Sequence, residues 1–224
     1  MSPQGARVFL LGLAAGLAVL AASSYRRVSP SWLRRLLMSL GAFVCLRYVA
    51  VALFADAADP RQVWLWRHAW FATSVGLTLP SIVALDQLLR HPAMTPGKLL
   101  RAFAPFLLAY AAVILFGACE AVPDPVAGWT LKLAPAWRIV VSVTQSAFVL
   151  GFTGVAGFVI WKFPLMPVRI ALGLLLLAHW WLAADGVLLA MGRWYPWPFL
   201  YSEMATLLAL TFAFETAASL QQSS

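Results

Sequence analysis

Apolar residues along this chain neither alternate nor recur on one face. They fill continuous runs of roughly 20 positions, separated by short polar or proline-containing stretches. Seven such runs stand out, at about 8–24, 33–55, 66–90, 100–121, 136–161, 169–192 and 197–218. A helix rising 1.5 Å per residue needs about 20 residues to cross ~30 Å of hydrocarbon, and hydrocarbon forces every backbone N–H and C=O to find its partner within the segment. The pattern predicts an all-α, polytopic membrane protein, a bundle of seven transmembrane helices. The connectors "YRRVSPSWLRR", "RHPAMTPGKLLR" and "WKFPLMPVR" are too short to fold alone, so residues 1–224 are read as one membrane domain.

Composition strengthens this reading. The 224 residues are 62% hydrophobic and 11% charged, and the mean hydropathy is +0.84. A soluble domain of this size lacks the interior to bury so much apolar surface. The first run, "RVFLLGLAAGLAVLAASS", has the small-residue end of a signal peptide, but Arg26 and Arg27 directly after it oppose translocation of the next segment. It is expected to be the first spanning helix. The net charge of +8 comes from basic residues spread over helix ends rather than gathered in one arm, which speaks against nucleic acid as a partner. Cys45 and Cys119 fall within apolar runs, where cysteine acts as a small filler.

Charge also orients the helices. With the N-terminus outside, the inner connectors hold Arg26, Arg27, Arg34, Arg35, Arg90, Lys98, Arg101, Lys162 and Arg169, and the outer ends hold Arg7, Arg61, Arg67, Lys132, Arg138 and Arg193. Cytoplasmic loops carry the excess of Lys and Arg, so the N-terminus is expected outside and the C-terminus in the cytoplasm, in the inner (plasma) membrane of a cell. Trp64, Trp66, Trp70, Trp129, Trp137, Trp194 and Trp197 then gather at the outer interface, where an amphipathic indole is favoured.

Depth is set by the helical rise. Arg47 lies ~20 Å above the inner end of the second helix and Asp185 ~24 Å above that of the sixth; Glu203 lies ~9 Å below the outer end of the seventh. Gln145, on the fifth helix, falls in the same outer third. A charge in hydrocarbon is costly unless paired or hydrated. Arg47, Gln145, Asp185 and Glu203 are therefore expected to form a polar layer, with Tyr48, Tyr201, Ser202 and Thr144 as further hydrogen-bond partners. That layer reads either as an ion pair that fixes helix packing or as a hydrated pocket for a ligand. Two acids against one base leave a carboxyl to be protonated or to await a cation or donor.

His179 and Trp181 are possible intramembrane functional residues. His179 is six positions before Asp185, about 120° around the helix, so the two do not share a face; a lone histidine beside Trp180 and Trp181 is more often a hydrogen-bonded interior group than a ligand. His68 and His91 fall at opposite ends of the bundle, which leaves neither a bis-histidine haem site nor a three-ligand zinc site, and no metal site is expected. The seventh run has no lysine for a retinal Schiff base. No Walker loop, GxSxG, HExxH or CxxC occurs. The chain offers no specific ground for an enzyme, and no cofactor is indicated. "GLAAG" at Gly12–Gly16, and Gly151, Gly154 and Gly157, are candidate helix-packing faces, internal or toward a partner. Pro80 should kink the third helix, and Asp86 and Arg90 are spaced to pair at its inner end.

With an aromatic outer entrance to the third helix in "VWLWRHAWFATSVGLTLP" and short inner loops, the architecture resembles the seven-helix membrane input regions of bacterial sensor histidine kinases. The resemblance covers nearly the whole chain and rests on architecture, without a diagnostic motif. It implies a sensor whose outer or intramembrane pocket controls a cytoplasmic output, here through a separate partner, since only "SLQQSS" comes after the last run.

Three functions are compatible with these residues. The first is a receptor-like module that binds a small hydrophobic or amphipathic ligand in its outer polar layer. The second is a non-catalytic subunit or assembly factor of a larger membrane complex, or a homo-oligomer, using the glycine faces. The third is a small transporter or proton conduit through Asp185, Glu203 and Arg47, weakened by the lack of an inverted repeat and of a second polar layer near the cytoplasm.

Overall fold

The computed structural model describes residues 3–54, 59–89, 95–124, 128–191 and 199–222. The long helices are α1 (Pro3–Ser24) and α2 (Ser31–Phe54), then, after the short α3 (Pro60–Leu65) and α4 (Arg67–Trp70), α5 (Ala72–Leu89) and α6 (Pro96–Phe116). A hairpin of β1 (Cys119–Asp124) and β2 (Gly128–Leu133) precedes α7 (Pro135–Lys162), α8 (Met166–Ala190) and α9 (Leu200–Gln222). Seven of these helices are long and apolar enough to cross a bilayer. The chain is a multi-pass membrane protein.

Two expected boundaries move. The third run, read as one helix from 66, is broken: α3 and α4 form a short helical step, and the spanning helix starts only at Ala72. The fourth run, read as helical to 121, leaves the helix at Phe116. There the Gly117 N–H closes on the Val113 carbonyl at 2.9 Å, with that carbonyl where a Cβ would stand, and the chain turns into a strand. In the antiparallel hairpin, Cys119, Ala121 and Pro123 sit opposite Leu133, Leu131 and Trp129 on one face, and Glu120 sits opposite Lys132 on the other. Period-two alternation of this kind favours a strand with one face buried; Leu131 is the buried member, and the hairpin packs on α3.

α5 is the most enclosed helix, with 83% of its span buried, and α9 comes next at 56%. These two pack on each other. α1 and α2 complete one flank; α6, α7 and α8 complete the other. The approach of α2 to α5 depends on Gly76, where a Cβ would collide with the Val44 side chain, and α1 comes as close to α2 at Gly41, where a Cβ would lie 2.6 Å from that of Ala22. Small residues at such crossings let backbones approach closely, the main source of packing energy where lipid removes the hydrophobic drive. The large apolar side chains left outside, among them Leu53, Leu108, Leu150, Trp161 and Leu177, lie where lipid would cover them.

The glycines of "GLAAG" take no part in this packing. Gly12 and Gly16 have open space at their Cβ positions, as does Gly154; Ala14, Ala18 and Ala21 make the inner face of α1.

Candidate functional site

The ends of α2, α6 and α8, the starts of α5, α7 and α9, and the hairpin all lie at one end of the bundle, here the hairpin end. Trp64 on α3, Trp66 between α3 and α4, and Trp70 on α4 belong to it, with Trp129 on β2 and Trp137 in the first turn of α7. Trp194 and Trp197 lie outside the described residues, as do Asp56, Arg90, His91 and Arg193. The opposite end holds Arg26, Arg27, Arg34, Arg35, Lys98, Arg101, Lys162 and Arg169 and is here the basic end.

Arg47, Tyr48 and Glu203 meet near the hairpin end. The Arg47 Nη1 group donates to Glu203 Oε2 in an ion pair, and the Tyr48 hydroxyl donates to the same oxygen at 3.0 Å. The Arg47 guanidinium also lies 5.3 Å from the Tyr48 ring centroid, a cation–π distance. Glu203 is buried, and the Arg47 side chain keeps 17% of its surface. The charge is thus paired but not sealed, and the buried Arg47 Nε has no hydrogen-bond partner. Local sequence puts the carboxylate there: Glu203 lies in the first turn of α9, where unpaired N–H groups and the helix dipole favour an anion.

Asp185 serves the same turn from the other side. Its Oδ2 accepts the Phe199 N–H at 3.2 Å and the Ser202 hydroxyl at 2.5 Å, so a carboxylate from α8 caps the start of α9. Phe199 holds φ at 70°, a conformation costly for an aromatic residue, and its carbonyl takes the Glu203 N–H at 2.8 Å. Ser202 and Glu203 are consecutive and so project about 100° apart. The two acids therefore meet different faces of one helical turn, Glu203 toward α2 and Ser202 toward the α8 carboxylate.

The other predicted partners distribute elsewhere. The Tyr110 hydroxyl donates to Gln145 Oε1 across the α6–α7 seam, with Thr78 hydrogen-bonded to the same hydroxyl, and the buried Gln145 Nε2 has no partner. Thr144 is buried and Tyr201 is exposed. The sequence reading did not single out Tyr110; its signal was a tyrosine in an otherwise apolar run, about six residues before the helix end.

His179 is buried between α5 and α7. The Ser81 hydroxyl donates to the Leu77 carbonyl at 2.8 Å, so its oxygen accepts from His179 Nε2–H, also at 2.8 Å. That places the proton on Nε2 and leaves Nδ1 a bare acceptor without a partner. Phe148 and Phe152 meet the imidazole at 5.1 and 5.4 Å between centroids. Trp181 is exposed on α8, as is Trp180, whose indole N–H donates to Thr153.

Above the bundle, His68 Nδ1–H donates to the Ile114 carbonyl at 2.7 Å, tying α4 to the last turn of α6, while Arg67 lies 4.9 Å from the Trp64 ring centroid. Cys119 sits beside this group. Burial pushes its thiol pKa up, and the nearby Arg67 charge pulls against that shift. Among the described residues, no three His, Cys, Asp or Glu side chains gather as a metal site. No protein-family model matches the chain, and no curated protein matches it.

Proposed function

We propose that this is a receptor-like membrane module that binds a small amphipathic ligand at the hairpin end, near Arg47, and transmits its presence through α9 to a separate partner. The observation that carries the proposal is the state of Arg47. It is a guanidinium held at the α2–α9 seam by one carboxylate, partly open to its surroundings, with a buried Nε–H that lacks an acceptor. An amphipathic molecule with a carboxylate, phosphate or carbonyl headgroup supplies that acceptor and keeps its apolar part in lipid. Because α9 runs from Glu203 to the basic end, competition for Arg47 acts on the helix whose far end faces the partner. In the orientation that the basic residues favour, the N-terminus and the hairpin are outside and the C-terminus is cytoplasmic, in an inner membrane.

The experiment is native mass spectrometry of the protein released from mild detergent. A small molecule retained by the wild type and lost from Arg47→Gln, with the bundle still folded, supports the reading; an identical bound profile in both refutes it. Labelling Cys119 with a membrane-impermeant maleimide on intact cells tests the orientation, which fails if Cys119 reacts only after lysis.

The subunit or assembly-factor reading is favoured by a different observation, the outward-facing Gly12 and Gly16 on α1 and Gly154 on α7. Gly12→Ile and Gly154→Ile then reduce a stoichiometric complex without touching ligand retention, and Glu203→Gln leaves assembly intact.

A further inference from the structure

The basic end carries a cleft where α1, α5 and α9 finish. Arg27, Gln87 and Gln221 stand at its rim, and Phe214, Ala217 and Ala218 form its apolar side. The Gln87 amide nitrogen is directed to Asp86 Oδ2 at 3.0 Å and to the Ser29 carbonyl at 3.5 Å, so Gln87 walls the cleft and Arg27 is its cation. Arg27 is half exposed and its Nη1 lies 3.3 Å from Glu215 Oε2. An exposed pair of this kind is worth little and yields readily to a better acceptor.

The surroundings are strongly positive and lie at headgroup level. Arg26 and Arg35 are exposed at the same end of the bundle, and Arg34 Nη1 donates to the Arg26 carbonyl at 3.3 Å, which holds the α1–α2 connector in place. Lys162 Nζ lies 4.0 Å from the centroid of the exposed Trp161 ring, and Trp32 is exposed at the start of α2. Indoles and basic side chains together mark the membrane–water interface. Directly toward the membrane from Glu215, and on the same face of α9, Phe212 and Leu208 are exposed.

We propose that this cleft seats the headgroup of an anionic phospholipid, with its phosphodiester on Arg27 and an acyl chain along Phe212 and Leu208. The cleft is shallow and open, with room for about one water-sized group. One phosphate oxygen enters it and the rest of the headgroup lies across the mouth. The four arginines of the connector favour a lipid with net negative charge and disfavour the quaternary ammonium of a choline headgroup. The assignment stands independently of any ligand at Arg47.

Native mass spectrometry of the whole protein, titrated with phosphatidylglycerol, phosphatidylcholine or inorganic phosphate, tests it. Phosphatidylglycerol binds as one lipid per chain and phosphatidylcholine does not. Arg27→Gln weakens phosphatidylglycerol about tenfold, the loss of one charge-assisted contact. Glu215→Gln, which frees Arg27, binds at least as well as wild type, and Arg35→Gln changes affinity much less than Arg27→Gln. The proposal is overturned by equal retention of the two lipids, by unchanged affinity in Arg27→Gln, or by an equal loss in Arg35→Gln, which is diffuse surface charge. It is likewise overturned if Glu215→Gln loses the lipid as Arg27→Gln does, or if millimolar inorganic phosphate displaces phosphatidylglycerol completely, which makes the site one for free phosphate.

Discussion

Glu203→Leu removes the carboxylate that holds Arg47 while leaving the guanidinium at the α2–α9 seam. Breaking a buried ion pair by deleting one partner costs about 3–5 kcal/mol, because the survivor keeps its desolvation penalty. The Arg47 side chain retains 17% of its surface, so lipid-interface water relieves part of that penalty; about 3 kcal/mol is the expected loss. Tyr48→Phe removes a single hydroxyl bonded to the same carboxylate oxygen at 3.0 Å. Hydrogen bonds to charged groups are worth about 1.5–3 kcal/mol in water-soluble proteins, but measured values in helical membrane proteins reach only ~1.7, so ~1–1.5 kcal/mol is expected. The informative variant is the double one. Arg47→Met with Glu203→Leu removes both charges and fills the seam with apolar atoms, returning stability to within about 1 kcal/mol of wild type. Reversible unfolding in mixed micelles of rising dodecyl sulfate fraction, monitored by circular dichroism, reads wild type, Glu203→Leu, Arg47→Met, the double variant and Tyr48→Phe. With about 3 kcal/mol lost on deleting either charge and no more than about 1 kcal/mol in the double variant, a coupling energy of about 5 kcal/mol is the expected result. If the single-variant losses add in the double variant to within ~0.5 kcal/mol, the two side chains do not interact and the proposed ligand site has no basis.

The same geometry sets three further outcomes. Asp185→Ala uncaps α9, costing about 1–2 kcal/mol, and speeds hydrogen exchange at its first turn, whereas Asp185→Asn keeps an acceptor oxygen and loses less; unchanged exchange in the alanine variant contradicts the cap. Ser81→Ala strands His179 Nε2–H in the interior and costs about 1–2 kcal/mol, while Ser81→Ala with His179→Leu recovers most of it in the same unfolding assay; no recovery means that the pair is not what holds His179. Cys119, with its thiol pKa raised chiefly by burial, carries little thiolate at neutral pH, so its maleimide rate climbs as pH rises toward that pKa. Arg67→Leu removes the opposing cation and slows the reaction at any pH in that range; an accelerated reaction refutes the assignment.

The spans were legible because the need to satisfy the backbone in hydrocarbon leaves a length signal that no tertiary context overrides. The hairpin was not. The apolar run before it carries on into "GACEA" with a single glutamate, which reads as the end of a helix, and the alternation that marks "GWTLKL" as a strand is only a few residues long. Heights along the bundle were readable from the rise per residue, and Arg47 and Glu203 do lie within reach of each other. Azimuth was not readable. A helix that is apolar on every side gives no moment from which to predict its neighbour, so nothing in the sequence told that Gln145 faces Tyr110 on α6 or that Asp185 serves the start of α9. Phe199 is a further case: an aromatic residue with positive φ has no sequence signature and persists only because Asp185 and the first turn of α9 over-determine it.

The placement of both acids on a single turn gives that turn a mechanical meaning. Ser202 is drawn toward α8 and Glu203 toward α2, so the two flanks of the bundle, α1–α2 and α6–α8, pull on the start of α9 from different directions. Had Arg47 bridged both carboxylates directly, its loss would loosen the two flanks together. As built, Asp185 keeps its cap when Arg47 is engaged elsewhere, and only the α2 contact at Glu203 is lost, while α1 and α5 still pack on α9. On the proposed reading, a ligand at Arg47 changes that one contact while the helix start stays fixed on α8. The motion expected on that reading is a tilt of α9 about its anchored first turn, which carries a displacement at Glu203 to the basic end ~25 Å away. The strained Phe199 sits at that anchor, held by the Asp185 carboxylate.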